Sequence, residues 1–266
     1  MGEAMNLRLT SPFHLHGVGS AFAMKLALCG IETIGDLLEY RDLESLSRIS
    51  TIPLGALRRV RLKALSLVNN EIIQVKLFEL PSQPKIFLDI ETTLYGEMVW
   101  LIGFMVDNDL IQLYADGYDE ERDILHEFSD VLKKQGDQVL VTWSGFDTRV
   151  LCERMWVQGL RPEPVSTKVH MDLRLELRRS FIFPISGYGL KKIGSFLGYP
   201  FRNPGLNGLM VAREYHRHIV DGVPLHRRFF EYNEDDVLAL PYIMDWAIEE
   251  QAASDSLQML IINSFA

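Results

Sequence analysis

At about residue 85 the hydrophobic pattern changes from helical to strand period. In "KIFLDIETTL", residues 85–94, Ile86, Leu88 and Ile90 share one face of an extended chain, while Asp89 and Glu91 share the other. The spacing predicts a strand over 85–92. Apolar runs at 98–107 and 110–115 predict two more, with Asp107-Asn108 as the hairpin turn between them. Over 119–135 the period becomes helical, with Ile124, Leu125, Phe128, Val131 and Leu132 on one side. A fourth strand, 138–143, leads through a turn into the helix of "SGFDTRVLCERM", and the remainder is mainly helical, ending in a long helix near 225–250. Residues 1 to about 75 are also helical and contain two short helix-turn-helix units. "PSQP", 81–84, carries two prolines and marks the expected boundary between an all-α domain, 1–80, and a second domain, 84–266. Three meandering strands, a helix and a returning strand predict an α/β fold, a mixed sheet flanked by helices.

Composition adds little to this. The chain is 47% hydrophobic and 24% charged, an ordinary globular balance, so neither a disordered nor a fibrous chain is indicated. Cys29 and Cys152 lack disulfide or metal spacing, which suits a reducing, cytoplasmic setting. No stretch reaches the roughly 18 apolar residues of a membrane span, and no signal-peptide pattern opens the chain. The net charge of −9 argues against strong, sequence-independent duplex binding. It remains compatible with a nuclease, because a metal-binding cleft is itself acidic.

The acids carry the candidate chemistry. Two carboxylates on one strand face raise each other's cost of ionisation unless water or a cation lies between them. Asp147 opens the helix after the fourth strand, where its plain reading is a first-turn carboxylate favoured by the helix dipole. In "FFEYNEDDVLALPYIMDW", at about 100° per residue, Phe230, Asn233, Val237, Leu240 and Met244 form one stripe. Tyr232 and Asp236 lie beside that stripe, four residues apart; Glu234 and Asp235 are expected to face solvent.

Asp89, Glu91, Asp147 and Asp236, with Tyr232, resemble the DEDD 3′–5′ exonuclease superfamily on the ribonuclease H-like fold. "YNEDD" matches its tyrosine-bearing branch; Glu231 stands where the other branch needs histidine. "SGFDTRVLCERM" is similar to the second motif, and "YGLKKIGSFLGYP", 188–200, to a helix that often carries Y-x-L-K. The likeness covers about 84–250 and is close to the YprB-type nuclease-like proteins. It implies two divalent cations, Mg²⁺ or Mn²⁺, which suit carboxylate oxygens and lie about 4 Å apart in two-metal sites. It further implies that Asp89 bridges both ions, that Glu91 and Asp236 complete one site and Asp147 the other, and that Tyr232 orients the attacking water. The implied substrate is a nucleic acid entering by a single-stranded 3′ end. The second motif departs from its relatives near Trp143-Ser144, where they often carry Asn. Asp172 stands as a further candidate for the site and, in its plainer reading, as the N-cap of "LRLELRRSF"; His170 reads as a core or surface histidine, and His216, His218 and His226 as parts of a solvated helix and turn.

"HGVGSAFAMKLALCGIETIGDLLEY", 16–40, resembles a helix-hairpin-helix motif, with Gly17 and Gly19 in its G-h-G turn. Such glycines free backbone amides to face a phosphate, which makes duplex binding the expected role. The following unit has Thr51 and Pro53 instead of glycines, and Pro53 has no N–H to donate. Arg58, Arg59, Arg61 and Lys63 read equally as phosphate contacts or as a solvated helix face, and a helix-hairpin-helix pair can also dock proteins. Two function classes therefore stand: a metal-dependent exonuclease, DNA more readily than RNA, and a non-catalytic adaptor that binds nucleic acid or protein on the same fold.

Overall fold

The computed structural model describes residues 6–255. They fall into two compact units. One runs to Leu77 and takes in Arg178–Tyr188; the other comprises Phe78–Leu177 and the described residues from Gly189 onward.

The first unit packs four helices, α1 (Ser20–Ala27), α2 (Ile34–Glu39), α3 (Leu43–Ser50) and α4 (Leu54–Asn69), around Leu26, Ile34, Leu37, Leu46 and Leu57, all fully buried. The starts of α2 and α3 are capped. The Thr33 hydroxyl accepts from the Asp36 amide while the Asp36 carboxylate accepts from the Thr33 amide, and Asp42 accepts from the Ser45 amide. A short strand, β1 (Ile73–Gln74), pairs antiparallel with Phe181–Ile182 from the later segment, and the Ser180 hydroxyl donates to Leu77 O at 3.1 Å.

The second unit holds a five-stranded mixed sheet. Strands β2 (Lys85–Thr92), β3 (Val99–Val106) and β4 (Asp109–Tyr114) form an antiparallel meander. Both turn residues, Asp107 and Asn108, have positive φ, 50° and 70°, as a tight two-residue hairpin requires. Helix α5 (Glu121–Lys134) then returns the chain to β5 (Val139–Thr142), which runs parallel to β2 and is buried along its whole length. Helices α6 (Phe146–Val157) and α7 (Glu163–Ser166) lead to β6 (His170–Asp172), giving the order β4-β3-β2-β5-β6. Helix α8 (Leu173–Ser180) follows, and α9 (Leu190–Phe196), α10 (Gly208–Asp221) and α11 (Arg227–Asp255) complete the described residues.

Trp100 on β3 centres the core. It stacks on Tyr215 at 4.5 Å and meets Phe230 edge-on at 6.3 Å, while the Tyr215 hydroxyl donates to Ala115 O. Glu121, 1% exposed, accepts from the Val99 amide and from both the Nε and Nη2 of Arg154, so the buried charge is fully partnered. The strand and helix order predicted the mixed sheet with flanking helices, and its ribonuclease H-like form, preceded by a mostly helical region, is the one the family resemblance implied. No helix among the described residues is long and apolar enough to cross a membrane.

Candidate active site

Strand β2 carries Asp89 and Glu91 on one face, and the ladder to β3 slips between Glu91 and Thr92. An irregularity of this kind re-aims side chains at a strand end. Asp147 sits in the first turn of α6, and α11 supplies Tyr232 and Asp236 one turn apart. Glu91, Asp147, Asp236 and Tyr232 are each at most 7% exposed. Asp89 is half-buried.

These groups lie close enough to act on one another. Burial, then the charges of Asp236, Asp147 and Glu91, holds the Asp89 carboxyl well above the usual range. Glu91 is raised likewise by burial and by Asp236. Burial pushes Asp147 up to about 7 against the backbone amides of Asp147 and Ile90. Asp236 is also pushed up to about 7 by burial, against Lys191 and the Tyr232 hydroxyl, which donates to it. The structure thus brings together the four acids and the tyrosine singled out in the sequence. Asp236 Oδ1 is buried without a hydrogen-bond partner among the described residues. No group of three or more His, Cys, Asp or Glu side chains among them is arranged to hold a metal ion.

Two residues that sequence reasoning left without a role complete the cluster. Gly103 lies opposite Asp89 across β2 and β3, and a Cβ there would sit 2.0 Å from Asn233 Oδ1. The missing side chain is what admits Asn233, which is fully buried. Its Nδ2 donates to Asp89 Oδ2 at 2.9 Å, and its Oδ1 accepts from Gln112 Nε2 at 3.0 Å. The signal was available: Asn233 is the polar member of an otherwise apolar stripe. Lys191 on α9 places Nζ 3.4 Å from the centre of the Tyr232 ring and donates to Leu206 O. Burial lowers its pKa, opposed by Asp236, Glu91, Asp235 and Asp89. Its cue was the "YGLKK" stretch, whose likeness was noted without a function for the lysine.

The expectation for Asp235 is overturned. Asp235 does not face solvent: it is 4% exposed and accepts from the Arg202 backbone amide and from Arg202 Nε, each at 2.8 Å. Arg202 Nη2 also meets Glu234 Oε2 at 2.8 Å. The chain after α9 covers that flank of α11, which helical periodicity alone could not foresee. Asp172 caps α8 by accepting from the Leu175 amide, and its other oxygen accepts from Gly145 just ahead of Asp147. His170 pairs with the Thr142 hydroxyl at 2.8 Å. His218 is not simply solvated, since its Nε2 lies 2.9 Å from Asp116 Oδ1.

The nucleic-acid candidates of the first unit are placed differently from one another. Gly17 has φ +83°, the left-handed region, and a Cβ there would lie 3.2 Å from Lys63 Nζ. Gly19 has ordinary φ and open space around it. Lys63 Nζ donates to His16 O at 2.5 Å, Arg59 donates to Arg178 O, and Arg58 is exposed. Arg61 is turned inward, donating to the carbonyls of Leu38 and Tyr40.

Comparison with known proteins bears on the family and the fold. The sequence model of the RNase H superfamily matches residues 86–248. Among solved structures, a family B DNA polymerase from the hyperthermophilic archaeon Pyrobaculum calidifontis superposes with a TM-score of 0.50 at 17% identity. That match covers 63% of this chain and 25% of the polymerase chain, and at such identity it is a likeness of fold. No curated protein matches the chain.

Proposed function

Because this chain belongs to the RNase H superfamily, we propose that it is a metal-dependent 3′–5′ exonuclease that hydrolyses phosphodiester bonds at nucleic-acid ends, DNA in preference to RNA. The observation that carries the reading is the convergence of Asp89, Glu91, Asp147 and Asp236, from β2, α6 and α11, into one buried cluster with Tyr232. RNase H superfamily nucleases typically use divalent metals.

As oxygen donors the acids suit such ions, which would have to draw them together, because as placed no three of them form a metal-holding group among the described residues. Their charges oppose one another, and Asp236 keeps a buried oxygen free to accept. Mg²⁺ or Mn²⁺ held by Asp89, Glu91, Asp147 and Asp236 would supply positive charge for the phosphate and acidify water. Other duties fall to the protein. Burial and the neighbouring acids raise the pKa of Tyr232 well above that of an ordinary phenol, so the residue stays protonated. Its single O–H then acts as a hydrogen-bond donor, to Asp236 in the free protein and to an incoming oxygen once substrate arrives, rather than as a base. Asn233 holds Asp89 in one orientation. Lys191 adds a cation beside Tyr232, where an approaching phosphate meets it.

The test is cleavage of a 3′-labelled single strand with Mg²⁺ or Mn²⁺, comparing DNA with RNA. Stepwise shortening that disappears in Asp89→Ala and Asp236→Ala, with both variants still folded, is the expected result. Unchanged turnover in both would remove the assignment. Binding without cleavage under every metal condition would favour the adaptor.

A further inference from the structure

We propose that Gln112 is a positioning residue for the acidic cluster: acting through Asn233, it decides which end of the Asn233 amide meets Asp89. The proposal rests on the reading of that cluster as a cation site. Asp89, Gly103 and Gln112 are direct partners across β2, β3 and β4, so they form one row, and Asp89 and Gln112 project to the same face of the sheet. Neighbouring strands lie about 4.8 Å apart, which sets Asp89 and Gln112 roughly 10 Å from each other. The glycine between them leaves a notch, and Asn233 fills it from α11, fully buried. An amide in that notch reaches the polar residue on either side.

Hydrogen bonding gives this row a single direction. A backbone carbonyl only accepts, so Phe230 O, 3.0 Å from Gln112 Nε2, dictates which end of the Gln112 amide faces α11. The same nitrogen donates its second hydrogen to Asn233 Oδ1, also at 3.0 Å. With its oxygen taken there, Asn233 presents nitrogen to Asp89, donating to Oδ2 at 2.9 Å and to the backbone O at 3.3 Å. The two ends of an amide are nearly equal in size, so the shape of the notch does not select between them. Gln112 does. Reversal would set Asn233 Oδ1 against a carboxylate oxygen, two buried acceptors in contact, and would deprive Asp89 of its donor. A carboxylate held by a fixed donor keeps its remaining lone pairs aimed, and that lowers the ordering cost when a cation arrives.

The test is calorimetric titration of the full chain with Mn²⁺ at pH 8, with no nucleic acid present, so that turnover plays no part. Thermal melting without metal checks that each variant folds. Gln112→Glu keeps the size of the side chain but replaces the donor with an acceptor. It is expected to weaken Mn²⁺ binding about tenfold or more, the usual cost of losing an outer partner of a metal ligand. The sign is diagnostic, because an added negative charge by itself would tighten cation binding. Gln112→Met, which removes the donor without adding charge, should weaken binding by less, and it carries the test if Gln112→Glu does not fold. In an Asn233→Leu background neither change should cost anything further, since the route to Asp89 is gone. Unchanged or tighter Mn²⁺ binding in both Gln112 variants, against uptake by the wild type, overturns the proposal and leaves the cation site standing. An undiminished loss in the Asn233→Leu background also overturns it, for Gln112 would then act through its hold on Phe230. If the wild-type protein takes up no Mn²⁺, the cation site itself fails, and the proposal with it.

Discussion

The two units gather like charge in opposite senses and at different depths. In the second, four carboxylates converge behind a sheet and two helices, all but Asp89 nearly sealed from water. In the first, Arg178 is exposed, and Arg59 and Lys63 are half-buried. Depth decides what each cluster responds to. Buried charges are weakly screened, so the acids answer to protons and to ions that enter among them. Exposed cations are screened by salt, and the basic cluster should answer to ionic strength. Each cluster also has direct partners: Lys191 and Asn233 temper the acids, and the carbonyls of His16 and Arg178 accept from Lys63 and Arg59.

Breaking the acidic cluster gives the largest expected effect. Asp236→Asn should reduce cleavage by about a thousandfold or more, since the loss of several kcal/mol of charge stabilisation is worth that much. The same change removes one buried charge from a repulsive set, so in metal-free buffer at pH 8 the melting temperature should rise. A drop in stability together with retained turnover would show that the acids are structural. Tyr232→Phe is expected to cost about ten- to hundredfold in rate, as loss of a supporting hydrogen bond typically does.

Titration sharpens the contrast. Asp147 and Asp236 stand at about 7 in the folded protein, above the roughly 3.9 of an unfolded aspartate. Between these values the folded state binds more protons than the unfolded state, so stability falls as pH rises from about 4 to 7. Their contribution is fully present at low pH and lost through the folded pKa. Metal-free protein should therefore melt lower at pH 8 than at pH 5, and Mn²⁺ should recover more at pH 8. Binding at a hundred times Kd adds about 2.7 kcal/mol, several degrees in a thermal scan. Salt alone should do much less here.

Smaller effects test the framework. Gly103→Ala drives a methyl group into Asn233, at a cost of about 1–3 kcal/mol and a fall of roughly 2–4 °C per kcal/mol. Metal affinity should fall as well, because Asp89 loses its fixed partner. In the first unit, Gly17→Ala is strained at φ +83° and should destabilise by about 1–2 kcal/mol. Gly19→Ala, in open space at ordinary φ, should shift the melting temperature by little. Equal effects at the two glycines would mean that the turn is shaped differently.

What the amino-acid sequence determined by itself is whatever repeats within a few residues. Period two set the strands and placed Asp89 with Glu91; period 3.6 placed Tyr232 with Asp236; Asp107-Asn108 specified its hairpin. Tertiary structure alone decided the rest. Asn233 meets Asp89 across 144 residues, and it does so because Gly103 on a neighbouring strand leaves room. Asp235 is buried because Arg202 comes to it from another segment. Ile73–Gln74 finds its strand partner beyond the whole sheet, at Phe181–Ile182. Periodicity reports which way a side chain points, whereas its neighbour is chosen by how distant segments pack, and no local pattern contains that information.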